Sequence, residues 1–117
     1  MTLCIARVYD VGKKRKNEYR VLVDRIWPRG ISKNALELDE WLKDIAPSNE
    51  LRKWFGHDRN KWEQFKTRYL QELTVHKNEL SRLADIAGQS DLVLLYSAKD
   101  IEHNQAIVIQ EAVEAVP

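Results

Sequence analysis

Two polar stretches of the chain hold the residue types that could bind an anion or transfer a proton. The first, residues 24–30, places Arg25 and Arg29 on either side of Trp27 in a predicted turn. Two guanidiniums at a rigid turn suit the paired hydrogen bonds that bind a carboxylate or a phosphate. The alternative is a buried ion pair between Asp24 and one of these arginines, with Trp27 packed in the core. The candidate ligand-binding residues of this stretch are Asp24, Arg25, Trp27, Arg29 and Gly30.

The second stretch, residues 96–104, follows a strongly apolar segment and leads into a predicted C-terminal helix. Its histidine could act as a general acid or base near neutral pH, oriented by Asp100, Asn104 or Asp24. The free amides in the first turn of the helix would also favour an anion. The alternative is that Asp100 only caps the helix and that His103 is an ordinary surface residue. The catalytic candidates of this stretch are His103 and Asp100, and its ligand-binding candidates are Tyr96, Lys99 and Asn104.

A second histidine, His57, lies between Gly56 and Asp58 at a predicted corner between two helices. From such a corner it could project into a neighbouring cleft, so His57 is a third catalytic candidate. The alternative is that Asp58 caps the next helix and that His57 satisfies a carbonyl at the end of the preceding one. Two histidines and an aspartate from separate segments could also bind a divalent metal. No metal site is predicted, however, because neither an HExxH motif nor paired cysteines occur.

The composition restricts the classes of ligand and partner. The chain has 117 residues, of which 44% are hydrophobic and 32% are charged, and this suits one globular domain. It has four glycines and no glycine-rich loop for a nucleotide phosphate, so no cofactor is predicted. The single cysteine cannot form an intramolecular disulfide and no secretion signal opens the chain, so we expect a cytoplasmic location. The longest apolar run, L-V-L-L-Y, is far shorter than the roughly 20 residues of a membrane-spanning helix, which argues against a membrane partner.

A basic loop between the first two predicted strands raises nucleic acid as an alternative partner. Among the first 33 residues, nine Lys and Arg oppose three Asp and Glu, although the whole chain has a formal charge of only +1. Such a local asymmetry could steer a polyanion. Interleaved aromatic residues and a recognition-helix pattern are both missing, so we rank nucleic acid below a small anionic ligand. The residues of this basic loop are Lys13, Lys14, Arg15 and Lys16, with Arg20 nearby.

The hydrophobic pattern predicts the elements that must position these candidates. Residues 3–9 and 19–27 read as strands, and residues 92–96 form a continuous apolar run typical of a strand that is covered on both faces. Apolar spacings of three and four predict helices at residues 38–45, 49–55, 62–87 with a break at 74–78, and 101–116. A long helical connection that leads to a buried strand implies a right-handed crossover. The predicted fold class is therefore α/β, a small, mostly parallel sheet with helices packed against it, in a single domain of residues 1–117.

This fold would bring the two polar stretches together. Ligands of open α/β sheets bind beyond the carboxyl ends of the strands, so we expect residues 24–30 and 96–104 to lie side by side. The sequence thus predicts a cleft for a small phosphate- or carboxylate-bearing ligand. Acid-base catalysis in that cleft and a noncatalytic binding module are both compatible with the residues, which are Arg25, Arg29, His57, Lys99, Asp100, His103 and Asn104.

Five stretches carry a pattern that extends over most of the chain. They are R-V-Y-D at residues 7–10, Y-R-V-L-V-D-R-I-W-P-R-G at 19–30, L-D-E-W-L-K-D-I-A-P at 38–47, L-R-K-W-F-G-H-D at 51–58 and L-L-Y-S-A-K-D-I-E-H-N at 94–104. In these stretches the sequence resembles the prokaryotic DUF488 family, and in particular its YeaO-like branch. The resemblance supports the fold and the choice of segments. It implies no activity, because none is established for that family.

Overall fold

The computed structural model describes residues 2–117, and the four strands among them form one parallel sheet. The strands are β1 (Leu3–Arg7), β2 (Glu18–Leu22), β3 (Glu40–Trp41) and β4 (Asp91–Tyr96), in the spatial order β1-β4-β2-β3. The α-helices are α1 (Lys33–Leu36), α2 (Asn49–Phe55), α3 (Trp62–Leu73), α4 (Lys77–Gln89) and α5 (Gln105–Glu114). Short 3-10 helices lie at Lys43–Ile45, Arg59–Lys61 and Thr74–His76. The predicted α/β fold class, a small parallel sheet with helices against it, is confirmed.

Strand β4 lies between β1 and β2, and its alternate side chains face two different cores. Leu92, Leu94 and Tyr96 pack in the larger core with helices α2 to α5. Val93 and Leu95 pack in a smaller core on the opposite face of the sheet. All five side chains are buried, as expected for a central parallel strand that is covered on both faces.

The two faces of the sheet are covered by different kinds of structure. Helices α2 to α5 cover the larger core, and α3 and α4 are separated at Thr74–His76, within the predicted break. The smaller core is closed by Leu36 of α1 and by the partly buried Trp27 and Trp41. Within residues 2–117, no helix is both long and apolar enough to cross a membrane.

The helix predicted at residues 38–45 is wrong, because this segment adds β3 to the edge of the sheet instead. The backbone N–H of Asp39 donates to the Arg20 carbonyl at 3.0 Å, and that of Leu42 donates to the Leu22 carbonyl at 2.9 Å. The Asp39 carboxylate accepts a hydrogen bond from the Arg20 N–H at 2.8 Å instead of capping a helix. Pairing with β2 therefore outweighs the helical spacing of the apolar residues, and one short 3-10 turn is the helical part that remains.

The first two strands, predicted at residues 3–9 and 19–27, are both shorter in the structure. β1 ends at Arg7 and β2 ends at Leu22. The register pairs Leu22 with Leu95, the last residue but one of β4, so β2 has almost no partner strand left beyond this point. The residues that follow β2 therefore form a loop beyond the carboxyl end of the sheet.

Helix α5 begins at Gln105 and not at residue 101, and Asp100 is not its cap. The Asp100 carboxylate accepts hydrogen bonds from the backbone N–H groups of Glu102 and His103 at 2.9 and 3.1 Å, and this turn replaces the first predicted turn of helix. Asn104 is the N-cap residue. His103 therefore lies in the loop ahead of α5, and the argument that the helix terminus favours an anion does not apply to it.

Candidate functional site

A cleft of about 640 Å³ opens beyond the carboxyl ends of β2 and β4, beside the corner that follows α2. These two strands are parallel neighbours, so their carboxyl ends meet at one edge of the sheet. The loops after both strands contribute to the lining. Of the predicted site residues, the structure brings seven to this cleft: Asp24, Arg25, His57, Lys99, Asp100, His103 and Asn104.

Arg25 lines the cleft, and two backbone carbonyls fix its guanidinium. Its Nη2 donates to the carbonyl of Ala46 at 2.9 Å, and its Nε donates to that of Pro47 at 3.3 Å. A guanidinium has five N–H groups, so three of them have no partner among residues 2–117. Arg25 also forms no ion pair with a carboxylate of these residues.

Asp24 is only 7% exposed, and its carboxylate forms hydrogen bonds to neutral groups. Nε2 of Gln105, on α5, donates to its Oδ1, and the polar groups of Ser97, directly after β4, also favour the charged form. Burial raises the pKa of Asp24, and these hydrogen bonds offset only part of that rise. The sequence left open a buried ion pair between Asp24 and Arg25 or Arg29. No such pair occurs in the part of the chain that the structure describes.

Asp100 and His103 form a hydrogen-bonded pair at the rim of the cleft. Nδ1 of His103 lies 3.0 Å from Oδ2 and 3.1 Å from Oδ1 of Asp100, and Nε of Arg59 donates to the same carboxylate at 3.0 Å. The backbone N–H of Glu102, assisted by His103 and Arg59, lowers the Asp100 pKa to about 2. The carboxylate is therefore ionised at neutral pH, and it holds the histidine ring as a carboxylate orients a general base.

Three aromatic rings connect the two candidate histidines beneath the cleft. Phe55 stacks on Phe65 with ring centroids 4.3 Å apart, and Trp62 lies 5.7 Å from Phe65. The His57 ring lies 6.2 Å from Phe55, and the His103 ring meets Trp62 edge-on at 5.2 Å. Both histidines thus flank one aromatic cluster of α2 and α3, and both line the same cleft.

The backbone at the corner after α2 determines where His57 lies. Gly56 has a φ of +53° and caps α2, while His57 itself has a φ of +59°. A left-handed conformation is uncommon at a residue other than glycine and costs on the order of 1 kcal/mol. Asp58 accepts a hydrogen bond from the Asn60 N–H at 3.0 Å and so caps the short 3-10 helix ahead of α3 and not α3 itself. Among residues 2–117, no group of three or more His, Cys, Asp or Glu is placed to hold a metal ion.

The cleft occurs in a sequence that matches a known family over nearly its whole length. Residues 2–116 match the family model described as "Inactive DUF488-N3 subclade". The chain belongs to the DUF488 family. The resemblance that the five sequence stretches carry is thereby confirmed, and every residue that lines the cleft lies within the matched range.

Proteins similar to this DUF488 chain occur in Escherichia coli and in mycobacteria. It is 49% identical over 111 residues to the uncharacterized protein YeaO of Escherichia coli (strain K12), a match that covers 95% of this chain and 96% of that protein. It is 36% identical over 108 residues to uncharacterized proteins of Mycobacterium bovis and Mycobacterium tuberculosis, covering 92% of this chain and 89% of each. No solved structure matches the chain.

Four predicted site residues of this DUF488 chain lie outside the cleft. Trp27 packs against Trp41 at a centroid distance of 5.4 Å in the smaller core, on the other face of the sheet. Arg29 is exposed farther along this turn, and Gly30 follows with a φ of +77° that the turn requires. Tyr96 is 3% exposed and packs in the larger core. The chain crosses to the opposite face of the sheet after residue 26. This crossing separates Arg29 from Arg25, the other arginine of the predicted anion site.

Several residues that line or support the cleft were not among the sequence candidates. Asp24 is held by Ser97, in the loop after β4, and by Gln105 on α5, which lies 81 positions away in the sequence. Nε of Arg7 donates to the carbonyl of Ala98 at 3.0 Å and so fixes the loop after β4. Contacts across such separations leave no local sequence pattern. The other lining residues that the sequence candidates omit include Ile26, Ala46, Pro47, Arg52, Phe55 and Phe65.

The basic loop lies at the opposite edge of the sheet from the cleft. Residues 13–16 precede β2, so they lie near its amino end, whereas the cleft lies beyond its carboxyl end. Nζ of Lys14 forms an ion pair with Asp39 at 2.8 Å, and the Lys14 N–H donates to the Glu37 carboxylate at 2.8 Å. A nucleic acid held by the basic loop would therefore use a surface separate from the cleft.

Proposed function

We propose that the cleft binds a small anionic ligand, bearing a phosphate or a carboxylate, and catalyses no reaction on it. The observation that carries this proposal is the state of Arg25. Two carbonyls hold its guanidinium at the cleft, while three of its N–H groups have no partner within residues 2–117. A guanidinium that is already oriented loses little freedom when it binds a carboxylate or phosphate through two parallel hydrogen bonds.

The charge balance of the cleft also supports an anion. Of the two carboxylates that line it, Asp100 is paired with Arg59 at 3.0 Å. Burial raises the pKa of the other, Asp24, and so disfavours its charged form. Positive charge therefore predominates, and a cleft with low-dielectric walls focuses it on a ligand. The cationic side chains that line the cleft are Arg25, Arg52 and Lys99.

The family description supports binding without catalysis. The matched family model is described as an inactive subclade, and our proposal extends that description to this chain. We also place the protein in the cytoplasm, because its single cysteine suits a reducing compartment.

Titration calorimetry with inorganic phosphate and with acetate, at low salt, tests the binding proposal. We expect dissociation constants in the millimolar range for the wild type, as for a few charge-assisted hydrogen bonds. Arg25→Gln should weaken binding at least tenfold, because it removes the guanidinium that lines the cleft. Arg29→Gln is the matched control and should change the affinity less than twofold. The proposal fails if the wild type binds neither anion, or if the two variants weaken binding equally.

Acid-base catalysis by His103 is the second candidate function, and one contact favours it. The Asp100 carboxylate lies 3.0 Å from His103 Nδ1, which leaves Nε2 of the ring for a substrate. Incubation of the protein with phenyl phosphate, followed by 31P NMR for a day, tests hydrolysis directly. We expect no turnover beyond the rate in buffer. Turnover that His103→Gln abolishes would replace the binding module with an enzyme.

A further inference from the structure

The cleft is larger than an inorganic ion requires, and part of its lining is apolar. We infer that its ligand is an organic anion with a flat apolar group, such as an aryl phosphate or an aryl carboxylate. The anionic group would lie at Arg25 and the apolar group over Phe55 and Phe65. This inference rests on the proposed function, because it needs an anion at Arg25, and it adds the chemical class of the rest of the ligand.

The volume of the cleft suits an organic molecule. The cleft encloses about 640 Å³, within the range of roughly 300 to 1,000 Å³ in which proteins bind drug-sized organic molecules. A phosphate or acetate ion at Arg25 would leave most of this space to water. The unused space lies against apolar side chains, and removing apolar surface from water stabilises a complex.

Two aromatic rings form the floor of the cleft. Phe55 of α2 and Phe65 of α3 are 6% and 2% exposed, and their rings stack at 4.3 Å with an angle of 22° between their planes. Aromatic rings favour further rings in offset or edge-on contact. Both also line the cleft, so a flat group of the ligand would contact the exposed part of this aromatic pair. The other apolar side chains that line the cleft are Ile26, Ala46, Pro47 and Ala98.

The polar and apolar groups of the cleft lie next to each other at Arg25. Arg25 is held by the carbonyls of Ala46 and Pro47, whose own side chains belong to the apolar lining. The free N–H groups of Arg25 and the apolar surface are thus next to each other, as a ligand with one anionic and one apolar end requires. Ile26, which follows Arg25, is 61% exposed and offers further apolar surface beside the guanidinium.

Calorimetric titration with matched pairs of ligands tests the inference: phenyl phosphate against inorganic phosphate, and benzoate against acetate. Each aryl member should bind at least tenfold more tightly than its partner without a ring, because the ring is removed from water. The phosphate and carboxylate arms together show which anionic group the site prefers. Arg25→Gln should weaken binding of all four ligands.

Substitutions at the floor of the cleft show which residues cause the tighter binding of the aryl ligands. Phe55→Leu should reduce the aryl advantage, which is the ratio of the affinities for aryl and ring-free anions, at least threefold. Trp54→Leu, a control one residue away and outside the cleft, should preserve this ratio. If Phe55→Leu does not fold, Ile26→Ser at an exposed position replaces it and should reduce the aryl advantage about twofold. Equal affinities for aryl and ring-free anions would overturn the inference and leave the anion site standing. An absence of binding by all four ligands would overturn both.

Discussion

Arg20 and Arg25 lie in β2 and in the loop directly after it, and each donates hydrogen bonds to two backbone carbonyls. Arg20 is 2% exposed on the face of the smaller core, where Nη1 donates to Leu36 at 2.9 Å and Nη2 donates to Gly12 at 2.8 Å. Its Nε lies 3.6 Å from the Glu18 carboxylate, which compensates the buried charge without a hydrogen bond. Arg25 is half-buried at the cleft and has no such carboxylate.

The difference shows how the surroundings of a guanidinium separate a structural role from a binding role. Arg20 joins the loop before β2, helix α1 and an acidic side chain, and its surroundings leave no room for a ligand. Arg25 uses its two carbonyl contacts for orientation and keeps N–H groups at a cleft. Loss of Arg20 should therefore reduce stability, and loss of Arg25 should reduce ligand affinity.

The largest expected effect is on stability at Arg20. Arg20→Met should lower the free energy of unfolding by about 3 kcal/mol, because the buried carbonyl of Leu36, the partly buried carbonyl of Gly12 and the Glu18 carboxylate lose their cationic partner. Urea unfolding followed by tryptophan fluorescence measures it. Arg15→Met, at an exposed position of the basic loop, is the control and should stay within about 0.5 kcal/mol of the wild type. A loss below about 1 kcal/mol for Arg20→Met would show that Arg20 does not have the structural role assigned to it.

The sequence was sufficient to predict the central strand and the corner after α2, because both depend on local chemistry. Five consecutive apolar residues end in Tyr96 before a polar loop, and Gly56 is the residue that a left-handed cap requires. The segment at β3 could not be predicted in this way. Its apolar spacing fits a helix, and its actual partners are backbone groups of β2 that are distant in sequence.

The candidate site was predicted in part for the same reason. The sequence identified Arg25 and Arg29 as one anion site, because both flank the same turn. The structure separates them: the chain crosses to the other face of the sheet at Trp27, which packs on Trp41. Neither the crossing nor the carbonyl contacts of Arg25 can be inferred from residue types alone.

A smaller effect on stability is expected at Arg25. Arg25→Gln should lower the free energy of unfolding by about 1 kcal/mol, because it removes two hydrogen bonds to carbonyls that remain partly accessible to water at the cleft. The same urea experiment measures it, with Arg29→Gln as the control that should change nothing. A loss as large as that of Arg20→Met would show that Arg25 is structural, and the contrast between the two arginines would disappear.

Asp24 is the buried carboxylate next to Arg25 in the sequence. Its pKa is raised by burial, so the folded protein binds its proton more tightly than the unfolded chain does. The free energy of unfolding should therefore fall as pH rises from the ordinary aspartate value, about 3.9, through the raised one. Asp24→Asn should lack this decrease when urea unfolding is compared at a series of pH values. A stabilisation by Asp24 that instead grows with pH would indicate an ion pair with Arg25.

Asp100 should show the opposite pH dependence, with the smallest effect because the group is at the surface. Its pKa is lowered to about 2, chiefly by the Glu102 N–H and also by His103 and Arg59. Its contribution to stability is therefore complete above the ordinary value of about 3.9 and is lost as pH falls towards 2. The difference between the wild type and Asp100→Asn should shrink over this interval in acid titrations followed by circular dichroism. A constant difference would contradict the assigned hydrogen bonds.

An NMR titration of 15N-labelled protein with phenyl phosphate shows directly whether an anion binds at Arg25. Arginine Nε–H groups and backbone amides are followed in the same spectra. The Nε–H signal of Arg25 and the amides of Ser97 and Lys99 should shift with one common dissociation constant, while the Nε–H signal of Arg29 should stay in place. Shifts centred on Arg29 or on the basic loop, with Arg25 unaffected, would contradict anion binding at Arg25.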